Sequence, residues 1–292
     1  MTGVPPISVV VASWRDTSGL AACLAALAEQ ADSETDVVVV SSFELPADLV
    51  TRHPGYRFIV ATDLLTPQLW ARGMEAATGR IVAITTGHFT PALDWLARIR
   101  AVHVRLRPAG VGGLIDGPRD GGPIAWATYF LRYSSTFCHD REREVSDIPG
   151  DNASYDRAAL DAHRDSMRAG FWEPDFHRLV RAEGGKLYID PTIRVAQRGS
   201  FTFRAFCRQR LQHGRHFGST RVFDKPLPIR LFRVLTVPLV PAVLLAKVTG
   251  RVLKSRRDLA RFVTCLPALA GFILAWAAGE AWGYISPRAA LT

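Results

Sequence analysis

The stretch that most restricts what this chain can fold into is Gly79 to Leu96, GRIVAITTGHFTPALDWL. Ile81-Val82-Ala83-Ile84 is a short apolar run with no polar alternation, so it has no face to offer to water. It reads as a strand buried on both sides, the condition of a parallel sheet covered by helices. Thr85-Thr86-Gly87-His88 breaks the run, and Pro91 with Leu93-Asp94-Trp95-Leu96 opens a helix. Ligands of open α/β sheets bind just past the carboxyl ends of the strands. Thr86, Gly87 and His88 therefore stand where chemistry is expected.

The segments around this stretch repeat its pattern. Ile7 to Ala12 is a second buried strand, followed by Ser13-Trp14 and a helix from about Ser18 with Leu20, Cys23, Leu24 and Leu27 on one face. Asp36 to Val40 is a strand ending at Ser41-Ser42, Tyr56 to Ala61 a further strand, and Leu69 to Ala77 a helix. Strands and helices alternating at this spacing predict βαβ units on a parallel sheet. Further on, Asp116 to Pro123 reads as a loop, Trp126 to Phe137 as an aromatic helix with a core face, and Gly185–Ile189 and Ile193–Val195 as short strands.

Composition becomes informative after that. The chain has 292 residues, enough for one sizeable domain and an appendage, with 48% hydrophobic residues and a net charge of +9. The charge points to anionic partners such as phosphates or a membrane surface. Nucleic acid is disfavoured, because no recognition helix or zinc motif accompanies the charge. Cys23, Cys138, Cys207 and Cys265 are widely spaced, which excludes a zinc site and a disulfide framework and fits a reducing compartment. The N-terminus has no basic region before its first strand, so a cleaved signal peptide is not expected.

The order of these pieces resembles family 2, GT-A-type glycosyltransferases over roughly residues 7 to 221. Ser8-Val9-Val10-Val11 with Ser13-Trp14 is similar to their first strand and nucleotide-contacting turn. Pro67-Gln68-Leu69-Trp70-Ala71-Arg72-Gly73 resembles the helix that reaches the nucleotide phosphates. Their Asp-rich metal motif, aligned backward from Pro91 and Trp95, falls on Thr86-Gly87-His88, and their base- or ribose-holding acids fall on Ser41 and Ser42. No carboxylate stands at either place, so the Asp-rich motif is degenerate. The resemblance implies a GT-A (nucleotide-diphospho-sugar transferase, Rossmann-like) α/β domain over 1–222. It also implies donor contacts from Ser13, Trp14, Ser41, Arg72, Thr86 and His88, and a divalent cation, Mg²⁺ or Mn²⁺, with His88 as the metal ligand that remains.

Two later stations carry the resemblance on. Pro149-Gly150-Asp151-Asn152-Ala153-Ser154 is similar to an acceptor-side turn, which makes Asp151, Asn152 and Trp172 acceptor-binding candidates. Capping of the following helix by Asn and Ser oxygens is an equally good reading. Phe171-Trp172-Glu173-Pro174-Asp175 resembles the acidic motif whose carboxylate is general base on the acceptor hydroxyl. Inverting transfer needs such a base, because that hydroxyl loses its proton as the diphosphate leaves. Glu173 is the first candidate and Asp175 the second. Acids and a proline are also ordinary helix-start signals.

Phe201 to Arg221 holds five arginines, two histidines and no acid. It resembles the family's amphipathic stretch, with Arg210 and Arg215 on the donor diphosphate; a headgroup-facing helix is the alternative. Beyond it lies a membrane-associated region over 223–292. Phe262 to Gly279 has no charge, and extended through Ile285 it is long enough to span a bilayer. The segment about 229–248 is interrupted by Pro238 and Pro241 and flanked on both sides by basic residues, which favours a re-entrant or interfacial path.

The expectation is a membrane-associated glycosyltransferase of the cell inner membrane, its main domain cytoplasmic, working on cell-envelope polysaccharide. It would take a nucleotide-diphosphate sugar as donor and a lipid, lipid-linked or polysaccharide acceptor, with membrane lipids as partners. The rival expectation is an inactive GT-A-like domain that binds a glycan, lipid or partner protein.

Overall fold

The computed structural model describes residues 4–14, 17, 19–118, 120–137, 139–198, 202–223 and 225–287. Cys138, the helix start at Ser18 and Phe201 lie outside them. In chain order the elements are β1 (Ile7–Ser13), α1 (Leu20–Ala28), β2 (Thr35–Ser41), α2 (Ala47–Thr51), β3 (Arg57–Val60), α3 (Thr66–Ala76), β4 (Ile81–Thr86), β5 (Phe89–Pro91), α4 (Trp95–Leu106) and β6 (Gly110–Asp116). Then come α5 (Pro123–Tyr133), β7 (Arg143–Val145), β8 (Ala153–Asp156), α6 (Arg157–Ala162), α7 (Glu173–Ala182) and β9 (Leu187–Gln197). The chain finishes in α8 (Phe203–Val222), α9 (Leu227–Thr236), α10 (Val240–Ser255) and α11 (Leu259–Ile285).

These elements form two compact units, Met1–Gly117 with His139–Gly199, and Pro118–Cys138 with Ser200–Thr292. The boundary expected at 222 is displaced toward the N-terminus because α8 packs lengthwise on α11 and α5 packs there too. Packing makes α8 part of a helical unit.

The first unit is built on a nine-stranded sheet in the order β3-β2-β1-β4-β8-β6-β9-β5, with β7 also on β9. β1, β2, β3 and β4 are mutually parallel, and β8 runs antiparallel between β4 and β6. Val9, Val10 and Val11 pair with Ala83, Ile84 and Thr85, and all of β4 is buried. The uninterrupted apolar runs of β1, β2 and β4 thus sit where both faces are covered, as their lack of alternation requires.

The two short strands expected between 185 and 195 are one strand, β9, with an irregularity opposite Gly113 and Leu114. Asn152 closes that irregularity. Its Nδ2 donates to Leu114 O at 2.8 Å and Ile193 O at 3.1 Å, the carbonyls beside the register shift, while its Oδ1 accepts from Trp95 Nε1 at 2.8 Å. The helix cap expected from Asn152 and Ser154 comes instead from Asp156, which accepts from Ala158 N. Ser154 lies inside β8, its hydroxyl 3.0 Å from His103 Nε2.

In the helical unit, α8 and α11 cross on two small-residue faces. Gly214 and Gly218 on α8 lie against the backbone of Trp276 and Glu280, and Gly279 and Gly283 on α11 lie against Leu211 and Arg215. A glycine four residues from a glycine on each helix lets the backbones approach closely, and a Cβ at any of these positions would strike the partner's main chain. Glu280 is buried at the crossing and accepts from Tyr284 Oη at 2.5 Å and Trp276 Nε1 at 3.1 Å. Both donors belong to α11 itself, so the carboxylate is satisfied within its own helix.

Two helical segments are long and apolar enough to cross a membrane, Leu227–Ser255 and Leu259–Ile285. The first continues through its prolines because Pro238 and Pro241 occupy the opening positions of the 3₁₀ turn Val237–Leu239 and of α10. A missing N–H breaks no helical bond there.

Candidate active site

The carboxyl ends of β1, β2 and β4 bring Ser13, Ser41 and Thr86 to the same edge of the sheet, all three buried. Register does this: Ser13 pairs with Ser41, and Ala12 with Thr86. Ser41 turns its hydroxyl onto its own loop, donating to Phe43 O at 2.7 Å and accepting from Phe43 N. Trp14 packs half-buried against the core. The Thr86 hydroxyl is buried with no hydrogen-bond partner. A buried hydroxyl left unpaired at a strand end is open to a ligand atom.

Beside Thr86, Thr85 donates to Asp151 O at 2.8 Å, and its own carbonyl accepts from Trp70 Nε1 at 2.8 Å. β4 is thereby tied to α3 on one side and to the 150–152 turn on the other. The preceding residue of that turn, Gly150, meets Glu173, whose carboxylate fills the space a Cβ there would need. The end of β4, through Thr85, and the candidates Asp151 and Glu173 are brought together at this turn.

Glu173 is half-buried at the first position of α7, with Pro174 behind it, so the start signals and the carboxylate's placement coexist. Trp172 precedes it as the N-cap residue. Four residues on, one turn along the same helix face, His177 is buried between Asp147, 2.8 Å from its Nδ1, and Tyr155, whose Oη lies 3.0 Å from its Nε2. Burial, reinforced by the charges of Glu173 and Asp147, pushes the Tyr155 phenol well above its ordinary pKa. Sequence reading passed over His177, although its spacing from Glu173 was a usable signal.

Other candidates are placed elsewhere. Asp175 is exposed and 3.5 Å from Arg178, an ordinary surface pair within one helix. Arg72 is exposed and bound to Glu75 at 2.9 Å. Asn152 has its amide donors and carbonyl oxygen engaged by the sheet and Trp95, so its part is structural. Arg210 and Arg215 lie in the helical unit, where the Arg215 guanidinium sits 3.9 Å from the centroid of the Trp282 ring.

No family model and no curated protein matches the sequence. Among solved structures, the chain is similar to a mannosyltransferase from Pyrobaculum calidifontis in complex with GDP-Man and Mn²⁺. The TM-score is 0.58 at 17% identity, covering 96% of this chain and 88% of that one. It is also similar to GalNAc-T7 with UDP, GalNAc and Mn²⁺, with TM-score 0.52 and 15% identity, over 69% of this chain and 45% of that one. These likenesses establish the fold, which is GT-A.

The Mn²⁺ of those two proteins provides a test of this chain's own donors. Thr86, Gly87 and His88 offer one hydroxyl and one imidazole, and among the described residues no three His, Cys, Asp or Glu side chains converge. Mg²⁺ and Mn²⁺ prefer oxygen ligands, carboxylates above all. Gly87 is moreover packed under α1: a Cβ there would press on Leu20 at 3.2 Å. The donor set does not fit that ion, and His88 alone does not make a site.

Proposed function

We propose that the chain is a membrane-associated glycosyltransferase that moves a sugar from a nucleotide-diphosphate donor to a lipid, lipid-linked or polysaccharide acceptor. The observation that carries this reading is the convergence of the β4 end and Glu173 on one turn, within a GT-A sheet. The donor occupies the carboxyl edge of β1, β2 and β4, where Ser13, Trp14 and the unpaired Thr86 hydroxyl face it. Glu173 takes the proton from the acceptor hydroxyl as that oxygen bonds to the anomeric carbon. The anomeric carbon–oxygen bond to the diphosphate breaks, and the configuration inverts. Asp151 and Trp172 border the acceptor. Guanidinium groups neutralise the diphosphate in place of an ion, since a fixed cation does the same electrostatic work.

The surface of the helical unit supports the membrane part of this reading. All the exposed large apolar side chains except Val4, Val60, Leu93 and Val104 belong to that unit. On α9, Leu227, Leu231 and Leu235 form a stripe at four-residue spacing with nothing over it, 61%, 55% and 78% exposed. The other side of α9 is locked by Arg230, which donates to Tyr284 O and Ile285 O at the end of α11. An apolar stripe backed by arginines suits a lipid surface, with the domain on the cytoplasmic side of an inner membrane.

The rival is an inactive GT-A domain that binds a glycan, a lipid or a partner protein, and the neutral residues at the ends of β1, β2 and β4, Ser13, Ser41 and Thr86, favour it. Calorimetry of UDP and GDP on the detergent-solubilised protein, with Mn²⁺ and with EDTA, separates the two. Binding indifferent to EDTA is the expected result. Binding that requires Mn²⁺ would overturn the metal-free donor site, and no binding of either nucleotide would leave the rival.

A further inference from the structure

One place in the helical unit gathers several cationic side chains around Arg210 of α8. Arg210 Nη2 lies 3.0 Å from His213 Nδ1 one turn along α8, and its guanidinium rests over Phe206 and Trp276, 5.0 and 5.6 Å from the ring centroids. Its Nε is buried with no partner. Arg132 on α5 and His216 on α8 face the same place: Arg132 repels charge on both Arg210 and His213, and His216 repels it on His213. Burial, then Arg132, brings Arg210 down to about 9. Burial, then Arg210, Arg132 and His216, brings His213 down to about 3. Among the described residues no carboxylate pairs with Arg210 or His213.

A guanidinium is the side chain least able to shed its charge, so sinking one beside a second guanidinium and an imidazole is costly without an anion. The rings of Phe206 and Trp276 offset part of that cost. They leave the Nε donor unfilled.

We infer that Arg132, Arg210 and His213 form a binding site for a phosphate ester carried by a lipid. Phosphate fits because guanidinium N–H groups bind its oxygens with charge assistance, and the idle Nε is such a donor. The lipid follows from the location, on the unit that exposes the α9 stripe; a soluble phosphate has no use for that apolar surface. The site belongs to the helical unit alone and does not depend on sugar transfer.

The test titrates the full chain in detergent micelles with dioleoyl phosphatidic acid and counts bound lipid by native mass spectrometry. Dioleoylglycerol and inorganic pyrophosphate are the comparison probes. Phosphatidic acid binds about tenfold or more tighter than dioleoylglycerol, a margin set by the loss of charge-assisted bonds, and pyrophosphate does not displace it. Arg210→Met removes that margin, Arg210→Lys keeps part of it, and Arg208→Met, at an exposed position of α8, leaves it intact. Should Arg210→Met fail to fold, His213→Gln and the imidazole resonance of His213 in the wild type carry the same test, the resonance moving on addition of phosphatidic acid. Displacement by pyrophosphate would reassign the site to a soluble phosphate and overturn the lipid. Equal binding of dioleoylglycerol, or a margin unchanged in both variants, would overturn the site itself. UDP and GDP binding is measured separately, so retained phosphatidic acid with no nucleotide affinity would sink the transferase reading and leave this one standing.

Discussion

Replacing Asn152 with alanine separates a structural residue from a ligand-binding one. Sequence alone allows either; the structure gives Asn152 three hydrogen bonds, to Leu114 O, Ile193 O and Trp95 Nε1, at a site with no exposure. Alanine leaves all three groups buried and unpaired, because the irregularity of β9 keeps those carbonyls out of the regular ladder. Each orphaned group costs about 1–3 kcal/mol, so the expected loss is about 3–9 kcal/mol. At roughly 2–4 °C per kcal/mol for a domain of this size, the melting temperature falls by about 6 °C or more. The assay is thermal unfolding of the solubilised chain followed by far-ultraviolet circular dichroism, with Asn152→Asp alongside. Aspartate keeps the acceptor for Trp95 but sets a carboxylate against two carbonyls, so it should be no better than alanine. A variant that melts within a degree or two of wild type while losing acceptor affinity would refute this assignment.

Glu173→Gln should lower kcat by about 10²–10⁴ with unchanged nucleotide affinity, because it removes only the proton acceptor; radiolabelled sugar transfer and calorimetry read the two quantities. His103 is buried against Ser154, and burial, with Arg80 adding to it and Asp156 opposing it, brings it down to about 4. Above its unfolded value near 6.5 it is neutral in both states, and below that the unfolded chain takes up a proton that the folded chain refuses. Stability is therefore lost as pH falls from about 6.5 to 4, by up to about 3 kcal/mol, and His103→Gln should flatten that part of a urea-midpoint-against-pH curve. Gly218→Leu drives a side chain into the Glu280 carbonyl at the helix crossing. Overpacking of about 1–3 kcal/mol should appear as lower melting and faster proteolysis within 202–287.

Much of the architecture was legible because it is written in local pattern. Unbroken apolar runs at Ile7, Asp36 and Ile81 could only be covered strands, and their ends placed Ser13, Ser41 and Thr86 on one edge before any coordinates. Glu173 at the start of α7 was likewise visible from its neighbours Trp172 and Pro174. What the pattern could not reach was partnership over distance. Nothing near Asn152 in sequence announces that its amide will close a break between Leu114 and Ile193, about forty residues away on either side.

The helical unit shows the same division. Hydrophobic content after Pro226 was enough to mark lipid-seeking helices, since apolar length is a local property. Which face of α8 would be buried was not, because its arginines read as facing a diphosphate or headgroups, while Gly214 and Gly218 bring α11 against their backbone. The sequence by itself determined the strands, their order of appearance and the apolar tail. Only the tertiary structure decided that half-buried Arg210 meets His213, Phe206 and Trp276, that Glu173 rests on Gly150, and that Gly87 lies under Leu20 where an acid would be crowded. The reason is that periodicity encodes which side of an element is dry, while the chemistry of a site depends on which dry sides meet.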